Sequence, residues 1–398
     1  FPNLYECEAT IISVIQTEKG TQVITNQTIV FPESGGQISD LGFMNDYRIT
    51  HAFERENEVI HLLESKSTSL MPNDTVKIKI DFCRRFDSSA QHSGEHILSG
   101  LAKKLFGATN VGFHMANDYS TLDFDIELSS EQLAELETQA FNEVLKNSVV
   151  STELVDAEQL KTLKLRKKTA GIEEKADEFR IVYIGDVDSC TCCGVHVNAS
   201  GEIGIIKLTK AEKYKGGTRI WFLCEKRALE DYQQKHDCLD KLARRFSVGF
   251  EDVVGAVVRQ GDELNDNKRI SKLIMARYMQ AEAKAIVEGA YEKGKTKIIV
   301  HCDYEGLIDI RLLADNILKN RACAVLLSVQ KDSVLYLTAV SEGVTPDSSE
   351  LIQTVNALLN GRGGGRGVFA QGKAEFKSKS QLEQCLNQVF EYLKNAVR

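Results

Sequence analysis

The chain has 398 residues, 42% of them apolar and 27% charged, with a formal net charge of −8. That length predicts two or three domains of an ordinary soluble globular protein, and the acidic balance excludes sequence-blind coating of nucleic acid by a basic surface. No apolar run approaches the roughly 20 residues of a membrane-spanning helix and no basic-then-apolar leader opens the chain, so no membrane partner is expected.

Residues 1 to about 83 alternate with period two between turn signals. The segments 8–15, 21–24, 59–63 and 76–81 read as strands, and several short strands without a good helix predict a small β-barrel. Within it lies the run 28–42, which carries Thr28, Gly35, Gly36 and Gln37. The glycine pair permits close backbone approach and Gln37 offers an amide; a plain hairpin loop is the alternative. Next, Asp87 or Ser88 is expected to cap a helix that runs to about Phe106 and stops at Gly107, with Gln91 completing a capping box. A second helix is expected from Ser129 to Lys146, boxed by Gln132, and a short third from Asp156 to Arg166. Strands follow at 179–184, 203–208 and 218–222, so helices and antiparallel strands segregate as in α+β folds.

From Glu225 to Glu288 the pattern turns helical and charged, with a break at 247–249. It predicts two helices with a coiled-coil-like apolar seam through Leu229, Tyr232, Leu239, Leu242, Phe246, Leu264, Ile270, Leu273 and Ile274, acting as a spacer or as a dimerising arm. Beyond Gly294 come strands at 298–300, 324–327 and 335–337 and helices at 306–319, 347–359 and 382–397. The run 361–367, five Gly with Arg362 and Arg366, reads as a glycine-rich loop, either a phosphate-binding nest or a flexible surface segment; it lacks a P-loop's GKS/T tail. The expected organisation is an N-terminal barrel (1–83), an α+β domain (84–224), a helical arm (225–292) and a C-terminal α/β domain (293–398).

The chemistry concentrates in two pairs. His92 and His96, four apart, share one helix face. About 100 residues on, Cys192 and His196 have the same spacing. Three imidazoles and a thiolate form a nitrogen/sulfur set that suits zinc. Spacing alone leaves Cys190, Cys192 and Cys193 open as the sulfur donor. Four protein ligands usually close a structural site, whereas a catalytic zinc keeps a position open. The run 92–96 also fits the His-x-x-Glu-His zinc-peptidase pattern, with Glu95 as base, but that pattern asks for a carboxylate ligand. The ten Cys, irregularly spaced, do not look like a disulfide framework, so a reducing cytoplasm is expected. Phe1 in place of Met suggests that a tag or leader was removed. Lys and Arg gather at 161–168, 207–219 and 362–373. These are either mixed-charge solvated faces or local paths for a polyanion.

Three runs carry a family likeness. The run 28–42, the helix 91–96 and the run 192–196 resemble the editing domain of alanyl-tRNA synthetase, and more closely its freestanding relatives, the AlaX trans-editing proteins. The segment 361–372, with Phe369, Ala370 and Gln371, is similar to the glycine motif of the synthetase's C-terminal domain. The likeness covers nearly the whole chain and is to the long form of AlaX, without an aminoacylation domain. It implies a zinc-dependent deacylase that cleaves serine or glycine from alanine tRNA in the cytoplasm. It implies His92, His96, Cys192 and His196 as zinc ligands, Gln37 as the active-site glutamine, and Thr28 as the group recognising the serine hydroxyl. Two departures bear on substrate preference and water activation: Val195 replaces the usual Thr, and Glu95 stands where many members have a neutral residue. Lys215, Arg219, Arg362 and Arg366 are then candidates for contact with tRNA, and a homodimer through the arm and last domain is expected. A non-enzymatic tRNA-binding module with structural zinc, the zinc peptidase and a fragment of a full synthetase are the rival readings.

Overall fold

The computed structural model describes residues 3–166 and 178–398. Lys167 and Lys168 of the first basic group lie outside the described residues. The chain divides into two units, Phe1–Leu242 and Ala243–Arg398.

The first unit opens with the expected barrel. Its strands are β1 (Glu6–Thr17), β2 (Gly20–Thr25), β3 (Gly42–Met44), β4 (Tyr47–Arg55), β5 (Glu58–Leu63) and β6 (Thr75–Ile80). They close in the order β1-β2-β5-β4-β3-β6, all antiparallel. Alternation does what the sequence pattern promised in β6: Val76, Ile78 and Ile80 enter the core, while Lys77 and Lys79 face outward and meet Glu6 at 2.5 and 3.2 Å. Between β4 and β5, Glu56 and Asn57 both have positive φ, the two-residue turn whose twist matches the flanking strands.

Helix α1 (Phe82–Phe106) departs from expectation at its start. Asp81, not Asp87 or Ser88, caps it by accepting the Arg84 N–H, so it begins directly after β6. Gly107, with φ of 73°, ends it as expected. The capping box built on Gln91 does not exist. Gln91 is buried in mid-helix, where its amide exchanges two hydrogen bonds with the main chain of Cys224 (2.9 and 3.0 Å). From Ser88 to Ala102 every residue of α1 is buried. The first turn is different: Phe82 and Cys83 are exposed, so apolar residues there do not mark an inward face by which the start could be recognised.

Around α1 lie β7 (Asn110–Met115), β8 (Ser120–Phe124), α2 (Ser130–Lys146), β9 (Val150–Val155), α3 (Ala157–Thr162), β10 (Phe179–Ile184), β11 (Asp188–Thr191), β12 (Ile206–Tyr214) and β13 (Gly217–Cys224). They form a sheet of order β12-β13-β8-β7 and one of order β11-β10-β9. The Ser129–Gln132 capping box of α2 is present. Helix α3 stops at Thr162 instead of Arg166, because the Arg166 N–H is drawn to the Ser189 carbonyl beside β11 (2.8 Å).

Two helices follow, α4 (Glu225–Phe246) and α5 (Val253–Glu288). The apolar residues that suggested a buried seam are largely in water: Leu229, Tyr232, Leu242, Leu264, Ile270, Leu273 and Ile274 are all exposed. Besides α5, the second unit holds β14 (Tyr291–Lys293), β15 (Thr296–Asp303), α6 (Ile310–Ile317), β16 (Ala322–Gln330), β17 (Ser333–Val340), α7 (Ser348–Leu359), β18 (Arg362–Arg366), β19 (Phe369–Glu375) and α8 (Lys379–Ala396). One sheet orders them β14-β15-β16-β17-β19-β18, with β15 and β16 parallel across α6. Helices α7 and α8 cover one face; α6 and the end of α5 cover the other. Helix α6 starts after Asp309, not at Gly306, since the Asp303 carboxylate gathers the N–H groups of Glu305, Gly306 and Ile308 into a turn.

The glycine-rich run is neither nest nor loose loop. It is the strand β18, paired along its length with β19. A Cβ on Gly363 or Gly365 would fall 2.4 Å from the carbonyl oxygen of Gln371 or Phe369, and one on Gly372 2.3 Å from the Tyr336 ring. Glycine there serves close packing of a hairpin over a buried tyrosine.

Candidate active site

Helix α1 presents His92 and His96, and the segment after β11 brings Cys192 and His196 to them. The loop is held by main-chain contacts: Arg180 donates to the carbonyls of Cys192 and Gly194, both at 2.8 Å. Gly194 must lack a side chain, since a Cβ would sit 2.1 Å from the His92 ring. The four side chains place one ligand atom each within 4.8 Å of one another and could hold a metal ion. Cys192 Sγ lies 3.5 Å from His92 Nε2 and 3.4 Å from His196 Nε2.

Each imidazole is oriented by a different neighbour through Nδ1. Gln37 Oε1 lies 2.7 Å from that of His92, Ser93 Oγ 3.1 Å from that of His196, and Asp188 Oδ2 2.8 Å from that of His96. All three can therefore turn Nε2 toward Cys192. Of the three cysteines left open by spacing, Cys192 is the one in this group. Cys190 lies on the far side of His96, 3.6 Å from Nδ1, and Cys193 is exposed. His96, Asp188 and Cys190 make a second cluster of metal-binding types. Its carboxylate is already engaged by Arg166 at 2.5 and 3.0 Å, which leaves it a poorer candidate.

Charge in the site follows from burial and neighbours. Burial alone would raise the Cys192 thiol, but the imidazoles of His92 and His196 hold it well below its ordinary value, toward the thiolate. Burial and the adjoining imidazoles push His196 down to about 3, keeping it neutral. The Asp188 carboxylate is lowered to about 2, because His96 and Arg166 outweigh its desolvation.

Gln37 sits on the loop 28–42, which the structure fastens to the start of α1 by a buried pair. Arg85 Nε donates to both oxygens of Asp40 at 3.0 Å, and its Nη2 contacts Asp40 and donates to the Ile29 carbonyl. With its Oε1 on His92 and on the Val195 N–H, Gln37 keeps a buried Nε2 that has no partner. A buried donor left open is costly and marks a place for a ligand oxygen. Thr28 hydrogen-bonds His61. His61 Nδ1 faces the Val23 carbonyl, which can only accept, so its Nε2 is bare and the Thr28 hydroxyl donates to it at 2.8 Å. The Val30 N–H donates to the same oxygen. Thr28 can then only accept a further bond.

Glu95 is buried against the cluster. Its Oε1 accepts from Ser99 and Asn110, both at 2.6 Å, and its Oε2 lies 3.5 Å from His96 Nε2. Most of the second basic group is paired: Lys207 with Glu137, Lys210 with Glu212, Lys213 with Glu127, and Arg219 with Asp123. Lys215 stands at the turn between β12 and β13, near the Tyr214 ring. Arg166, read as part of a basic surface, is instead buried on Asp188. Arg362 and Arg366 are exposed on β18. Residue-by-residue reading missed Arg180 and Asp188. A signal existed for the second, since period two puts Asp188, Cys190 and Cys192 on one side of an extended chain.

Comparison with known proteins bears on this arrangement. The family described as Threonyl and Alanyl tRNA synthetase second additional domain matches residues 179–220, which include the Cys192–His196 half of the cluster. The alanyl-tRNA editing protein AlaX-L of Pyrococcus horikoshii is 28% identical over 98% of this chain and 97% of its own length. The chain is a homologue of the long-form alanyl-tRNA editing proteins. A second editing homologue, the alanyl-tRNA editing protein Aarsd1 of Rattus norvegicus, is 27% identical over 93% of the chain and 88% of its own. The alanine–tRNA ligase of Pyrococcus abyssi is 27% identical over 96% of the chain but only 42% of its own length. Among the described residues, no helix is long and apolar enough to cross a membrane.

Proposed function

We propose that the chain is a trans-editing aminoacyl-tRNA deacylase, which hydrolyses the 3′ ester of alanine tRNA mischarged with serine or glycine, at a zinc centre formed by His92, His96, Cys192 and His196. The observation that carries it is the donor cluster with an unpartnered buried amide, Gln37 Nε2, beside it. A purely structural centre gives no reason for that amide. The donor set fits zinc: bonds of about 2.05 and 2.3 Å in a tetrahedron set nitrogen–sulfur edges of about 3.6 Å, against the 3.4 and 3.5 Å found here. Bound zinc would supply positive charge to orient the terminal ribose or, by opening one of its four protein-held positions, to lower the pKa of a water.

The chain's own groups do the rest. Gln37 Nε2 donates to an ester or ribose oxygen, with the amide held in place by His92 and Val195. Glu95, clamped by Ser99 and Asn110, directs its second oxygen into the centre, where it accepts a proton from water. Thr28 reads serine against alanine. Because its own hydrogen is committed to His61, it accepts one from the serine hydroxyl, a contact alanine cannot make. Thr28→Val is expected to cut the preference for seryl over alanyl ester at least tenfold, measured as the ratio of deacylation rates; an unchanged ratio removes Thr28 from recognition.

The direct test of the function is deacylation of seryl-, glycyl- and alanyl-tRNA with and without chelator. Hydrolysis of none of them would overturn it in favour of a tRNA-binding module. Cleavage of peptides, abolished by Glu95→Gln, would favour the peptidase. For tRNA contact we assign Lys215, Arg219, Arg362 and Arg366. Arg362 lines a cleft of about 650 Å³ with Arg311 and Lys373. The Arg362→Gln, Arg366→Gln double variant is expected to flatten the slope of log affinity against log salt by about one per arginine. An unchanged slope would show that they do not touch phosphate. The exposed apolar residues of α5 are the surface through which a second copy would add.

A further inference from the structure

Of the three groups that orient the imidazoles, Gln37 and Ser93 are neutral and Asp188 is charged. Its side chain has no exposure, and Arg166, 9% exposed, is its counterion. Burying such a pair is expensive and adds little net stability. It does fix a proton. A carboxylate only accepts, so His96 Nδ1 carries the hydrogen and Nε2 presents its lone pair to the cluster. The competing arrangement would have Nε2 donate to Glu95, but that contact is 3.5 Å against 2.8 Å for Asp188. Arg166 is itself anchored, its main-chain N–H on the Ser189 carbonyl at 2.8 Å.

We infer that Asp188, held by Arg166, is the positioning residue of the metal centre, fixing His96 in its ligating tautomer and strengthening Nε2 as a donor. This rests on the reading that the four donors bind zinc. Partners of this kind, when removed, lower metal affinity by about 10–100-fold.

The test uses the full chain, stripped of metal and titrated with zinc against a chromophoric chelator, then with cobalt(II) as a spectroscopic probe. Asp188→Asn is expected to weaken zinc by that factor. It should also alter the ligand-field bands of bound cobalt while leaving the thiolate charge-transfer band of Cys192. Asn also leaves Arg166 with only the more distant Glu95 carboxylate, 3.9 Å from its Nη2, so the Arg166→Gln, Asp188→Asn double variant is measured beside it. That protein is expected to unfold at close to the wild-type midpoint and still bind zinc weakly. Wild-type affinity and spectrum in Asp188→Asn would overturn the inference. So would recovery of affinity in the double variant, which would trace the loss to the guanidinium left without Asp188. A wild-type chain that binds no zinc would sink the metal centre itself, and the inference with it.

Discussion

A Cys192→Ala chain is expected to lose its metal and its deacylase activity while keeping its fold. Affinity should fall well beyond the roughly 10–100-fold typical of an outer partner, because a ligand is gone. The fold should persist because the loop is not held by the thiol: Arg180 grips it through the carbonyls of Cys192 and Gly194, and the Cys192 N–H bonds to the Arg180 carbonyl. Metal content, deacylation of seryl-tRNA and the thermal unfolding midpoint, measured on one preparation, decide it. Loss of the cooperative unfolding transition along with the metal would identify a structural centre and remove the catalytic reading.

Asp40→Ala is expected to be the most damaging single change for stability outside the cluster. It strands the Arg85 guanidinium, 3% exposed, which keeps only the Ile29 carbonyl once Asp40 is gone. Removing one partner of a buried pair costs about 3–5 kcal/mol, or a midpoint lowered on the order of 10 °C in a unit of this size. The Phe31 N–H, which donates to Asp40 at 2.7 Å, is orphaned too. Since the loop 28–42 carries Gln37, activity should fall further than the unfolded fraction explains. A midpoint shift of only about 2 °C would show that Arg85 finds water or another partner.

These two expectations differ in how readable they were. Both halves of the cluster stood out in the sequence because local geometry produces them: spacing of four on a helix, and a short extended run ending in histidine. Which sulfur takes part was not readable, since Cys190 and Cys192 share a strand face and only the turn of the loop after β11 separates them. Asp40 and Arg85 lie 45 residues apart on a loop and a helix, and no local rule joins them. The barrel was legible through alternation in β1, β2, β5 and β6. The start of α1 was not, because its first turn leaves the apolar Phe82 and Cys83 in water and Asp81 follows a strand directly. Charge misled for a related reason. Lys207 looks like part of a basic path until Glu137, 70 residues away, is folded beside it.

The hairpin of β18 and β19 has a bearing on solubility. β18 is the outermost strand of its sheet, and the carbonyls of Gly363 and Gly365 accept hydrogen bonds from the Asn356 amide and the Ser349 hydroxyl of α7. An edge strand left without such cover is a template on which another chain can add a strand, the first step toward aggregation. The barrel of the first unit has no such weakness, being closed on itself. Here α7 covers part of the strand and charge adds to it: Arg362 and Arg366 stand at the two ends, so two copies approaching edge to edge bring like charges together. The same pair assigned to tRNA thus has a second reason to be charged, one that operates when no tRNA is bound.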